Sequence, residues 1–226
     1  MVQITLTSTQ MDAVNAKGEH ILIKGVPGSG KTTVLLSKLL NTIESDPEAT
    51  VLFITYNNTL QKYITESLFD AIEIKSEKLS VLTYHKWAKD RLQSINKYKN
   101  PEKWDTYSTF YENLKLSNKK HRFYQDKKFR DFLIDEIKWI KSKSVNNYEE
   151  YKTIRRSGRG VALQTSDRKT VYEILKNYNS HLEQHNRYMW EDYSNVVIEN
   201  INDINKVKTY DYVFIDEAQD LSQSQL

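Results

Sequence analysis

The sequence predicts an α/β fold in which a mainly helical segment interrupts a parallel sheet, and three observations carry that prediction. Short β-rich runs alternate with amphipathic helical stretches over the first 86 residues. Strand character then disappears between residues 87 and 208, where polar, Tyr-rich helical stretches take over. It returns at Tyr212-Val213-Phe214-Ile215, immediately before Asp216. Parallel neighbours need crossover connections rather than tight hairpins, so a strand that rejoins its sheet after a long insertion satisfies the chain rules. The expected organisation is a first domain over 1–86, an inserted basic helical subdomain over 87–208, and a return to the first domain over 209–226, with the sheet incomplete at the C-terminal end.

Each element has a local cause. Residues 5–16 read as a short helix with Thr7, Ser8 or Thr9 available as N-cap. His20-Ile21-Leu22-Ile23-Lys24 reads as a short strand ending at Gly25. Residues 31–43 form a helical pattern with Val34, Leu35, Leu39 and Ile43 on its apolar side, stopped by Ser45-Asp46-Pro47. Val51-Leu52-Phe53-Ile54-Thr55 is a continuous apolar run of the kind buried on both faces of a parallel sheet. A helix over 59–70 and a strand over 79–83 complete the first part.

Composition narrows the function classes. With no Cys there is neither a disulfide framework nor a thiolate metal site. No apolar run approaches the length of a membrane span, and Met1-Val2-Gln3-Ile4-Thr5 lacks the basic start and apolar core of a secretory signal, so a cytoplasmic protein is expected. The net charge of +3 conceals an asymmetry: residues 86–208 hold 26 Lys and Arg against 17 Asp and Glu, together with all four Trp and ten of the 15 Tyr. Such a distribution fits either a polyanion-facing insert on a more acidic core or a solvated helical surface.

The chemistry concentrates in two segments. Gly25-Val26-Pro27-Gly28-Ser29-Gly30-Lys31-Thr32, followed by Thr33, is a complete G-x-x-x-x-G-K-[ST] loop placed after a β-rich run and before a helix. Glycines let successive N–H groups turn inward on phosphate oxygens, and the helix adds its positive end. Lys31 is then placed to reach β- and γ-phosphates, and the Thr32 hydroxyl to ligand Mg²⁺. The second segment, Asp216-Glu217-Ala218-Gln219-Asp220, follows an apolar strand. Asp216 is the candidate for holding Mg²⁺ through water, Glu217 for general base, and Gln219 for a further catalytic contact.

Together these segments resemble the UvrD/Rep-like superfamily 1 helicases. Leu6-Thr7-Ser8-Thr9-Gln10-Met11-Asp12-Ala13-Val14 resembles the family's Q motif, which implies that Gln10 reads the adenine edge of ATP. Phe53-Ile54-Thr55-Tyr56-Asn57-Asn58 resembles motif Ia, with Asn58 in place of the usual Lys, and Leu82-Thr83-Tyr84-His85 is similar to the Thr-Phe-His segment. The resemblance implies that Thr55, Tyr56, Asn57, Thr83, Tyr84 and His85 contact single-stranded DNA by stacking and backbone hydrogen bonds; RNA is left open. Residues 151–160 followed by Asp192-Tyr193 are similar to the accessory subdomain of many bacterial members. His181 and His185 have the i, i+4 spacing of metal ligands but no third ligand, and read as surface residues.

The resemblance implies a P-loop NTPase (RecA-like) domain using ATP and Mg²⁺, a second RecA-like domain of the same protein, and 3′ to 5′ translocation. Only Leu221-Ser222-Gln223-Ser224-Gln225-Leu226 follow the acidic motif, so motif III and the arginines that touch the γ-phosphate are expected outside this chain. Such arginines are worth factors on the order of 10³–10⁵ in rate, and the chain alone is expected to bind Mg-ATP weakly and turn it over little. A nucleic-acid-sensing P-loop ATPase of a repair or defence complex, without unwinding, is the alternative; a small-molecule kinase is disfavoured by the DEAQD and Thr-Tyr-His segments.

Overall fold

The computed structural model describes residues 5–72, 78–115 and 120–226. The chain divides into two compact units: Met1–Trp87 with Asn205–Asp220, and Ala88–Ile204 with Leu221–Leu226. No helix among the described residues is long and apolar enough to cross a membrane.

The first unit opens with α1 (Ser8–Asn15). Thr7 is its N-cap in a capping box: the Gln10 N–H donates to Thr7 Oγ1 at 3.3 Å, and the Thr7 N–H donates to Gln10 Oε1 at 2.9 Å. α2 (Lys31–Ser45) packs beside it. From α2, Lys38 donates to the carbonyls of Val14 and Ala16 at 2.8 and 2.6 Å, satisfying acceptors that the end of α1 leaves open. Partial burial holds the Lys38 ammonium below its ordinary pKa.

A three-stranded parallel sheet follows, built from β1 (Val51–Ile54), β2 (Leu79–Leu82) and, after the second unit, β5 (Tyr212–Ile215). Its order is β2-β1-β5, with Phe53 opposite Val81 and Phe214. All four residues of β1 are buried, as its unbroken apolar run requires of a central strand. α3 (Asn58–Ile72) connects β1 to β2. Leu39, Val51, Phe53, Ile64, Leu79, Val81 and Phe214 form the core, with Phe53 and Phe214 stacked at 6.4 Å. At the start of β5, Asp211 Oδ2 accepts from both the N–H and the hydroxyl of Thr50 at 2.7 Å, setting the register of a strand that rejoins its neighbour 161 positions later.

The strand expected over residues 20–24 does not form; the segment has no regular secondary structure. A strand exists only through its ladder, and β5, which could have offered an edge, pairs only with β1 among the described residues. Ile21 and Leu22 are accordingly exposed, as are Tyr212 and Val213 of β5.

The second unit is mainly helical: the latter part of α4 (Tyr84–Ser94), then α5 (Trp104–Lys115), α6 (Arg122–Gln125), α7 (Arg130–Ser142), α8 (Tyr148–Thr153), α9 (Thr165–Gln184), α10 (Asp192–Glu199) and most of α11 (Ile201–Val207). Two dipeptides, β3 (Asn100–Pro101) and β4 (Arg187–Tyr188), pair in parallel, so β structure is not wholly absent from the region where the sequence predicted none. The Tyr-rich pattern is a core pattern: Tyr107, Tyr111, Tyr124, Tyr151 and Tyr178 are buried with Phe123, Leu133, Ile137 and Val171. Tyrosine fills such a core because its ring packs while its hydroxyl finds an acceptor, as Tyr107 and Tyr111 do on the carbonyls of Arg130 and Asp126 at 2.6 and 3.2 Å.

Candidate functional site

The glycine loop turns into α2 through two residues that only glycine accommodates readily: Gly28 and Gly30 have φ of 79° and 80°. Gly25 is constrained differently, since a Cβ there would lie 2.4 Å from Ser29 Oγ. Gly30 is the N-cap of α2 and provides no side-chain cap, which leaves first-turn N–H groups of a 15-residue helix available to an anion. Lys31 folds back over the loop and donates to the carbonyls of Gly25 and Val26 at 3.2 Å each.

The acidic segment meets this loop within the same unit. The Asp216 N–H continues the β1–β5 ladder by donating to the Ile54 carbonyl at 2.9 Å, which brings the carboxylate to the end of the sheet. There Asp216 Oδ1 accepts from the Thr32 hydroxyl at 3.2 Å. Burial pushes the Asp216 carboxyl above its ordinary pKa; the Thr32 hydrogen bond opposes this, and the neighbouring Glu217 charge adds to it. Glu217 sits in the left-handed region at φ 52°, which for a residue with a side chain costs on the order of 1–3 kcal/mol and is held by its surroundings. Those include the Asp220 N–H, which donates to the Glu217 carbonyl at 2.8 Å, and the Gln219 amide, which donates to the Glu217 carboxylate. Pro27, Gly28, Gly30, Lys31, Thr32, Glu217 and Gln219 line a cleft of about 470 Å³.

Gln10 lies against the same loop. Its Nε2 donates to the Ser29 carbonyl at 3.0 Å while its Oε1 serves the α1 cap, so both ends of the amide are engaged. Val26 is exposed, and Thr33 lies behind Gly30 on the first turn of α2.

The six residues expected to meet a nucleic-acid strand lie at the adjacent ends of β1 and β2, but they do not all face outward. Thr55 is fully buried and its Oγ1 accepts from the Asn57 N–H at 3.1 Å. Asn57 Oδ1 accepts from the N–H groups of Thr59 and Leu60 at the start of α3, and Thr83 Oγ1 from the Lys86 N–H at the start of α4. Tyr84 is 6% exposed and packs against His85 and Trp87. Tyr56, at 37% exposure, and the half-buried His85 are the members that present rings. Burial lowers the His85 pKa from its ordinary value.

Of the His181–His185 pair, His185 is exposed, as expected of a surface residue, and His181 is partly buried. Their rings lie 4.2 Å apart, and His181 is packed between Phe110 and Tyr178 with a buried Nε2 that has no hydrogen-bond partner. Among the described residues no cluster of three or more His, Asp or Glu suited to a metal is present. Burial first, and His185 second, hold the His181 pKa below its ordinary value, against a hydrogen bond with the Thr106 backbone. The unfolded chain therefore takes up the proton more readily, and folding stability is lost as pH falls below about 6.5. Thermal melts from pH 7.5 to 5 should show this loss, and His181→Phe should flatten the profile; an unchanged slope would remove His181 as its cause.

A glycine loop opening a helix, joined to a carboxylate at the end of a parallel strand, defines an α/β protein of the phosphate-loop class. The sequence matches the UvrD/REP helicase N-terminal domain over residues 6–226, and the chain belongs to that family. It is also similar to two proteins whose names describe one component of an ATP-dependent helicase/nuclease. One, from Exiguobacterium sibiricum, is 33% identical over 78 residues, covering 33% of this chain and 7% of that protein. The other, from Leuconostoc mesenteroides subsp. mesenteroides, is 40% identical over 68 residues, covering 30% of this chain and 6% of that protein. The chain thus matches a small fraction of the length of either relative.

Proposed function

We propose that this chain is the N-terminal, ATP-binding part of an ATP-dependent DNA helicase or translocase, built on a RecA-like sheet and gripping single-stranded DNA. The observation that carries it is the hydrogen bond from Thr32 to Asp216, which joins the two halves of a Mg²⁺–triphosphate site from positions 184 residues apart. Lys31 would exchange the Gly25 and Val26 carbonyls for β- and γ-phosphate oxygens, and the uncapped start of α2 would receive the phosphate charge. Thr32 and Asp216 would hold Mg²⁺, whose charge offsets that of the phosphates. Glu217 would orient and deprotonate the attacking water, with Gln219 fixing its carboxylate. Tyr56 and His85 would meet the bases, while Thr55, Asn57, Thr83 and Tyr84 shape the turns behind them. Strand displacement, and its 3′ to 5′ direction, belong to the whole protein.

Binding of a fluorescent ATP analogue to the purified chain in Mg²⁺ tests the site directly. Lys31→Ala should weaken it at least about tenfold, the scale of one lost charge-assisted contact; undiminished affinity would sink the assignment. The relatives' shared name supports the helicase reading over the sensing ATPase. Full-length protein that hydrolyses ATP on single strands yet displaces none would reverse that choice.

A further inference from the structure

We infer that the second unit carries a proton-operated clasp at Glu102. With its carboxyl protonated, Glu102 closes the segment over residues 99–102 on α9 and β4; on ionising, it releases that segment. Glu102 directly follows β3, whose ladder with β4 is 2 residues long. So short a ladder holds little by itself. It is extended by the Glu102 N–H, which donates to the Tyr188 carbonyl at 2.7 Å, and by the Tyr178 hydroxyl of α9, which donates to the Glu102 carboxyl. Further ties lie at Lys99. Its ammonium pairs with Glu183 and rests over the Tyr188 ring at 5.0 Å, and its carbonyl accepts from the Tyr193 hydroxyl at 2.8 Å.

The charges around Glu102 do not balance when it is ionised. Those that act on it come from Glu191 and Asp192 of α10 and from Lys138 and Lys141 of α7, three carboxylates in all against two ammonium groups. Lys141 is buried and committed to Asp192 at 2.5 Å. Lys138 is exposed, and solvent screens its charge. Glu102 is left with the Tyr178 phenol, which can donate to the carboxyl in either protonation state, and with the opposing charge of Glu191. A partly buried acid in such company favours its neutral form. Burial first, and the Glu191 charge second, push the Glu102 carboxyl up to about 7, against the attraction of Lys138 and Lys141.

The other titratable groups at the clasp can be told apart from Glu102. Tyr188 and Tyr193 are held above the ordinary phenol pKa, chiefly by burial, and keep their protons through neutral pH. His181, whose ring stacks on Tyr178 at 6.3 Å, has a lowered pKa and the opposite sign: it weakens the fold as pH falls. Burial raises the Glu191 carboxyl as well, so it shifts in the same direction as Glu102 and needs a variant to separate the two. For Glu102 the folded pKa is raised, so its stabilisation is complete below the unfolded value of 4.5 and is lost as pH rises through about 7. Taking those two values for the open and closed states, opening should increase roughly tenfold between pH 6 and pH 8.

The test is amide hydrogen exchange of the intact chain, followed by NMR at pH 6 and pH 8 and corrected for the intrinsic exchange rate at each, with a carbon-13 titration of the Glu102 carboxyl beside it. The Glu102 amide, held by the Tyr188 carbonyl, is the reporter, and the amides of Ile137 and Ile140 in the α7 core are the reference. Protection of the Glu102 amide in the wild type should fall roughly tenfold from pH 6 to pH 8 relative to that reference. Glu102→Gln, which cannot ionise there, should keep its protection level. Equal wild-type protection at both pH values overturns the inference. The same fall in Glu102→Gln overturns it too, and assigns the change to Glu191. A carboxyl midpoint at the ordinary 4.5 overturns it on the wild type alone, even where the variant fails to fold. Neither ATP nor nucleic acid enters the experiment, so its outcome is independent of the proposed function.

Discussion

Replacing Asp216 with Asn should raise the stability of the ligand-free protein at neutral pH and remove its response to Mg-ATP. Both effects follow from one carboxylate. Asp216 is nearly buried, and burial pushes its pKa above the ordinary value of 3.8. For an acid whose folded pKa is raised, the protonated form is the one the fold favours. Its stabilising contribution is complete below the unfolded pKa and is lost as pH rises through the folded one. At pH 7 the ionised carboxylate is thus a net cost, which the neutral amide avoids while still accepting from the Thr32 hydroxyl. Thermal denaturation at pH 7 should place Asp216→Asn above the wild type, and the gap should narrow towards pH 4.

The ligand response should run the other way. A ligand at 100 times its Kd stabilises a protein by about 2.7 kcal/mol, and in a chain of this size each kcal/mol moves Tm by roughly 2–4 °C. The wild type at that saturation should gain several degrees with Mg-ATP. Asp216→Asn at the same concentrations should gain little, because an amide oxygen is a far weaker Mg²⁺ partner than a carboxylate. A variant that is no more stable when empty, or that keeps the full Mg-ATP shift, would contradict the role given to Asp216.

The contrast between Asp216 and its surroundings shows which parts of the site are legible in a sequence. The glycine loop is local: a short run of neighbouring positions specifies its turn, its positive φ angles and the start of α2. β1 is legible because four consecutive apolar residues suit a strand covered on both faces. The Thr32–Asp216 pairing is legible as chemistry, since a phosphate loop needs an acid, though its distance is set by the ladder between Ile54 and Asp216. Residues 20–24 mislead because their pattern is that of a strand, while strandedness needs a neighbour the pattern cannot supply. The burial of Thr55 and Tyr84 is illegible for the opposite reason: they carry polar groups suited to a contact site, and packing at the ends of β1 and β2, which a motif does not report, sets their exposure. Lys38 gives no local signal at all, because its acceptors lie at the end of another helix.

Glu136 is the hardest of these to read and the one whose loss should matter most for stability. On α7 it occupies a core position between Leu133 and Ile137, where helical periodicity asks for an apolar residue. Its burial alone would raise its pKa. The hydrogen bonds from Arg156 and from the Tyr151 hydroxyl, with the charges of Arg156 and Arg159, outweigh that and hold the carboxyl below its ordinary range. Arg156 closes on it with both Nε and Nη2, at 2.6 and 2.8 Å, and spends Nη1 on the Val161 carbonyl at 2.8 Å. Deleting one member of such a buried pair strands the other: with Glu136→Ala, the Arg156 guanidinium, whose side chain is 6% exposed, loses its counter-charge. The expected cost is about 3–5 kcal/mol, read as a fall in the denaturation midpoint by the fluorescence of Trp139, beside which Arg159 lies at 6.0 Å. Glu136→Gln, whose single amide oxygen can still accept from the Tyr151 hydroxyl and Arg156 Nε but not from Arg156 Nη2 and Arg159 as well, should fall between the wild type and Glu136→Ala. Because the folded pKa is lowered, the stabilisation is present above the unfolded value of about 4.5 and is lost as pH falls through the folded one, so the wild type should approach Glu136→Gln in acid. A loss below about 1 kcal/mol in Glu136→Ala would mean that Arg156 finds solvent once released, and that the loop over residues 154–160 is held by its backbone contacts with Arg168 rather than by this ion cluster.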